Sequence, residues 1–139
     1  MTAALDRELR CSCSTCMMIA LVTDAEPSMV ELAIEIRHTM DAADTAAADA
    51  VSESMLVDLY GRDPRARDAS FRRAKQHVVR ARVQLELLAA KREHAGITEI
   101  ARALSKPADY PDEDWRLQIA SARSQLLAVL AELDLPRSS

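Results

Sequence analysis

Residues 28–91 read SMVELAIEIRHTMDAADTAAADAVSESMLVDLYGRDPRARDASFRRAKQHVVRARVQLELLAAK, and the spacing of apolar positions in this stretch decides the fold. Met29, Ala33, Ile36, Met40, Ala43, Ala47, Ala50, Ser54 and Val57 follow an unbroken alternation of four and three, which puts them on one face of an α-helix. Ser28 and Glu31 stand at the spacing of a capping box and predict where this helix starts. Gly61 supplies a left-handed stop after Tyr60. From Asp41 to Ala50 the stripe carries only small residues, so a partner backbone can approach closely there. The weak side-chain burial also marks this segment as the expected place for a kink or fraying. Gly61-Arg62-Asp63-Pro64 reads as a tight turn, with Asp63 as N-cap and Pro64 at the first helical position. The stripe resumes as Phe71, Ala74, Val78, Ala81, Leu85, Leu88, Arg92 and Ala95, predicting a helix to about Ala95 with Gly96 as its stop. Each helix would be roughly 50 Å long at about 1.5 Å per residue. The short connection makes them antiparallel neighbours.

The flanks are helical as well. Leu5, Leu9, Cys13, Cys16 and Ala20 recur at helical spacing in residues 3–22. Thr98 to Ser105 predicts a short helix with Ile97, Ile100 and Leu104 on one face, broken before Pro107. KPADYP is a loop, and Asp112 caps a last helix with Glu113 and Asp114 in its first turn. That helix has the stripe Trp115, Ile119, Ala122, Leu126, Val129 and Leu133 and ends before Pro136. With no repeat and no low-complexity linker, the expectation is a single all-α domain over residues 1–139, a helical bundle built on a long antiparallel hairpin.

Composition agrees. The 139 residues are 49% hydrophobic and 29% charged, with 25 alanines, two glycines and four aromatics. Phosphate-cradling glycine loops, dinucleotide fingerprints and nucleophile elbows all need glycines that this chain lacks. A β-rich fold is disfavoured by so few aromatics and turn glycines. No run approaches the length of a membrane span, and the apolar patch from Cys16 to Val22 lacks the flanks of a signal peptide. Three cysteines crowded within six residues fit a reducing compartment better than a disulfide framework, so a cytoplasmic protein is expected.

The candidate chemical motifs each fall short of a site. Cys11, Cys13 and Cys16 offer three thiolates without a second pair, and tetrahedral zinc takes four ligands. On a helix Cys13 and Cys16 sit about 60° apart while Cys11 points about 160° from Cys13, so the three converge only if this segment is a loop. Glu35-Ile-Arg-His38 is an E-x-x-H, half of a di-iron carboxylate motif, but neither His77 nor His94 completes a second one. His38 reads as a surface or boundary histidine. ITEIARAL resembles the opening helix of a helix-turn-helix, but the prolines that follow forbid the recognition helix. No catalytic set, metal site or cofactor is expected.

Charge layout is the stronger signal. Asp24 to Asp58 holds nine acidic residues and one basic, whereas Arg62 to His94 holds ten basic and four acidic. A chain of net charge −4 thus splits its hairpin into about −8 and +6. Arg65, Arg72, Arg73, Arg80 and Lys91 fall about 100° to 200° around the axis from Phe71, away from the apolar stripe, and Lys75 and Arg82 complete the candidate set. Glu31, Glu35, Asp49 and Glu53 likewise lie opposite their own stripe. Both clusters therefore face outward and cannot fully cancel. The competing reading is a pair of solvated faces. Eight of the ten cations are arginine, whose planar fork suits phosphate. Aromatic residues for base stacking are absent from that face, so the expected ligand is RNA or single-stranded DNA backbone, without sequence readout.

A small, all-helical chain with an arginine-rich face over residues 62–92 resembles the small subunit of class 1 CRISPR effector complexes. The resemblance implies a non-catalytic subunit of an antiviral ribonucleoprotein complex, supporting guide RNA and target strand beside other protein subunits, with Arg65, Arg72, Arg73, Arg80 and Lys91 on the strand. Two alternatives stand beside it. LLAVLAELDLP, residues 126–136, resembles small terminase subunits and implies a structural oligomer for phage packaging. Cys11, Cys13 and Cys16 would serve a thiol-based metal or redox sensor.

Overall fold

The computed structural model describes residues 25–137. Four helices follow in order: α1 (Ala25–Tyr60), α2 (Arg65–Lys91), α3 (Ala95–Leu104) and α4 (Glu113–Glu132), with no strand among the described residues. The packed pairs are α1 on α2, α2 on α3, α3 on α4 and α4 on α1. This closes a ring of four helices around one core, in which α3 is the short member. The expected antiparallel hairpin is α1–α2. The cysteines and the helix expected over residues 3–22 lie outside the described residues.

The stripe of α1 lies where its period puts it. Met29, Ala33, Ile36, Met40, Ala43, Ala47, Ala50 and Ser54 are all buried, with Ala46 added and Val57 half-buried. The alanine-rich centre is continuous helix and not a break. Facing it are Ala74 and Ala81 of α2, also fully buried, so small residues on both sides let the two backbones approach. Larger side chains close the ends. Ile36, Met40, Leu85, Leu88, Ile100, Leu126 and Leu130 fill one end, and Phe71 meets Trp115 edge-on at the other, with ring centroids 5.1 Å apart.

Helix ends show where local chemistry decided the boundary. Gly61 adopts φ 65° and its N–H reaches the Val57 carbonyl at 3.0 Å, so α1 stops as expected. Asp63 Oδ1 accepts the Arg65 N–H at 3.0 Å, but the N-cap position falls on Pro64, so α2 begins at Arg65, one residue later than expected, without a side-chain cap. Asp112 accepts the Trp115 N–H at 2.8 Å. Three further expectations need correction. α1 begins at Ala25, so Ser28 lies inside its first turn instead of capping it; Pro27 is tolerated there because first-turn N–H groups have no helical acceptor. α2 ends at Lys91, with Arg92 extended, and not at Ala95. Gly96 stops nothing: it is the second residue of α3. His94 caps α3, its Nδ1 accepting the Gly96 N–H at 2.9 Å while Nε2 meets Glu132 Oε1 at 2.9 Å. Gly96 is needed for space, since a Cβ there would lie 2.7 Å from Val129 Cγ2.

The end of α4 carries the reverse case. Asp134 takes φ 57°, with its N–H on the Ala131 carbonyl and the Leu135 N–H on the Leu130 carbonyl. This is a Schellman stop in which buried Leu135 and Leu130 supply the accompanying apolar contact. Three substitutions test this account by chemical denaturation. Gly96→Ala should destabilise by about 1–3 kcal/mol through overpacking on Val129. Gly61→Ala, in open space, should cost about 1 kcal/mol from backbone strain alone. Asp134→Gly should stabilise by up to about 1 kcal/mol.

Candidate interaction face of the basic helix

Opposite its buried stripe, α2 presents an outward arc, and the candidate cations divide between that arc and its edges. Arg72, Arg80 and Lys91 are exposed and, like half-buried Arg82, have neither a hydrogen bond nor an ion pair among the described residues. The other three candidates are engaged locally. Arg65 makes a two-nitrogen contact to Asp63 Oδ2, at 2.9 and 2.6 Å. It thereby holds the Asp63 carboxyl below the ordinary carboxylate range, so Asp63 stays ionised and its contribution disappears only as pH falls below that range. Lys75 stands over the Phe71 ring at 4.3 Å. Arg73 bonds Ser70 Oγ at 3.1 Å and, with His77, borders a shallow groove of about 320 Å³ whose α1 wall includes Asp41 and Asp49. In that groove a candidate cation and the acidic helix share a surface.

Among the described residues, no ion pair joins a cation of α2 to a carboxylate of α1. Two carboxylates of α1 are answered elsewhere, whereas Asp44 and Glu53 each bury one oxygen without a hydrogen-bond partner among the described residues. Asp41 takes Arg123 of α4 at 2.5 Å and Arg37 of its own helix at 3.5 Å; this contact raises the Arg123 pKa above the ordinary arginine value. Asp58 accepts the Tyr110 hydroxyl at 3.1 Å, and that hydroxyl in turn accepts from Ser54 at 2.6 Å. Arg67 lies 5.4 Å from the centre of the Tyr110 ring. Tyr110 thus ties the loop between α3 and α4 to the end of α1. Glu35 receives a long contact from the Gln84 amide, 3.5 Å, and among the described residues no three His, Cys, Asp or Glu side chains gather to hold a metal ion.

Sequence reasoning passed over one feature of the arc. Val79, Val83 and Leu87 recur every fourth residue and are exposed, placed about 80°, 120° and 160° from Phe71, among the cations. The same angular reading that separated the arginines from the core would have found them. The face is therefore an aliphatic seam with positive charge along one flank, Arg80 and Lys91, and exposed Glu86 on the other. No protein-family model, curated protein or solved structure matches the chain.

Tyr110 offers a check on this part of the geometry. Tyr110→Phe removes the hydroxyl shared by Ser54 and Asp58, and should cost about 1 kcal/mol in denaturant unfolding. Faster amide exchange should follow in residues 105–112, leaving the part of α2 beyond the Arg67 contact to the same hydroxyl unaffected.

Proposed function

We propose that this chain is a non-catalytic helical subunit of a nucleoprotein assembly, touching RNA or single-stranded DNA backbone through the outer face of α2. The observation that carries the reading is the absence of carboxylate partners, among the described residues, for Arg72, Arg80 and Lys91, in a chain whose net charge is −4. Unpaired cations spread along about 28 Å of helix form a track to which successive phosphates can bind, each contact releasing counterions. The small subunit of class 1 CRISPR effector complexes is the kind of component this reading fits. A reducing, cytoplasmic setting belongs to it on the strength of Cys11, Cys13 and Cys16. Arg65, Arg73 and Lys75, engaged by Asp63, Ser70 and Phe71, are secondary contacts, and Arg82 stands at the far edge.

A second reading, a protein-docking subunit, is favoured by Val79, Val83 and Leu87, which phosphate does not use. Fluorescence anisotropy with labelled single-stranded RNA of several sequences tests the first. With three phosphate contacts, affinity should fall about twentyfold between 50 and 200 mM salt, independent of sequence. Arg72→Glu/Arg73→Glu/Arg80→Glu, with helicity unchanged by circular dichroism, should abolish binding. Absence of binding by the wild type at low salt would refute direct backbone contact by the isolated subunit.

A further inference from the structure

The outer seam of α2 has a counterpart on α1. Val79, Val83 and Leu87 are 51%, 45% and 52% exposed, and Met55 and Leu59, at the far end of α1, are 55% and 68% exposed. Met55 and Leu59 continue a line with Ala48 and Ser52 at spacings of four, three and four, the period of a helix seam that packs on another helix. Within one chain the two seams cannot meet, because α1 and α2 already pack through their opposite, buried faces. Their charges also complement one another along one flank: exposed Asp49 and Asp58 border the α1 seam, while Arg80 and Lys91 border that of α2, whose other flank carries exposed Glu86.

We propose that copies of this chain associate head to tail, the α1 seam of one copy lying on the α2 seam of the next. Charge complementarity between the seams sets the partner. Pairing α2 with α2 would instead bring Arg73, Arg80 and Lys91 of both copies together along one flank. The small residues Ala48 and Ser52 receive Val83, and Met55 and Leu59 cover the apolar line towards one end. Because the two surfaces differ, the contact leaves one seam free at each end of a pair and growth continues past two copies. This goes beyond the backbone-binding reading. It uses the aliphatic line on α2, whereas that reading rests on the cations beside it.

Sedimentation velocity and light scattering on the full chain, between about 10 and 500 µM, test the proposal at the modest affinity such a seam supports. The mass of the wild type should rise from 15.3 kDa past twice that value. Val83→Glu and Leu59→Glu alter exposed positions, so both should keep wild-type circular dichroism and remain monomeric. Mixed in equal amounts they should form a one-to-one pair and stop, because each supplies the seam that the other lost. A wild type that stays at 15.3 kDa overturns the proposal, as does one that halts at two, or a mixture of variants that does not associate. RNA binding by the two variants separates the readings, since neither removes a cation. If the wild type is monomeric and Val83→Glu abolishes RNA binding, the seam belongs to the nucleic-acid surface and the head-to-tail contact is refuted.

Discussion

Close approach of α1 to α2 is the constraint on which the remaining structure rests. Alanines 43, 46, 47 and 50 on one helix and 74 and 81 on the other are buried with almost no exposed surface. An alanine contact contributes little apolar area, so the stretch is held less by its own burial than by what lies at either end. At one end sit Ile36, Met40, Leu85 and Leu88, and at the other Phe71 against Trp115. The Gly61 stop and the Asp63–Arg65 contact set the register of the hairpin, and a shift of one residue would carry exposed Val79 to the interface. α4 then lies along α1 and completes the core with Ile119, Leu126 and Leu130.

That packing also determines which charges are answered. Two carboxylates of α1 are taken by α4 and the loop before it, where Arg123 and the Tyr110 hydroxyl meet Asp41 and Asp58, while Asp49 lines the groove beside Arg73 and His77 with no ion pair among the described residues. Arg72, Arg80 and Lys91 of α2 are left facing water. At physiological ionic strength fields decay over about 8 Å, so an approaching ligand meets a local positive or negative surface and not the net charge. A sequence pI near 5.4 therefore says little about the partner of α2.

Most of the fold was legible because the signal is periodic. A stripe of nine positions on α1 and six on α4 repeats the same statement at every turn, and one uninformative residue cannot overturn it. The errors occurred at single residues whose meaning depends on distant neighbours. Gly96 reads as a stop from local propensity, whereas its role comes from Val129, thirty-three positions away in the chain. Ser28 with Glu31 matches a capping box, but α1 was already under way at Ala25. In the candidate face, the outward arginines followed from the helical angle, while the Asp41–Arg123 pair spans eighty-two positions and has no local signature. Val79, Val83 and Leu87 were within reach of the same angle. They were missed because valine and leucine next to a core stripe are read as part of it.

The two kinds of chemistry on the outer arc of α2 act on different steps of binding. Arginine and lysine at the edges accelerate encounter and orient whatever carries negative charge, an effect that weakens as salt rises. The aliphatic line acts after contact, through water released from apolar surface, and salt does not screen it. A phosphate backbone engages only the first, so for such a ligand Val79, Val83 and Leu87 remain wet. A helix with apolar and acidic residues engages both, and mutational effects on it concentrate in the dissociation rate, where most differences among related interfaces lie. The salt response of the association and dissociation rates therefore reports which chemistry the face uses, independently of the identity of the ligand.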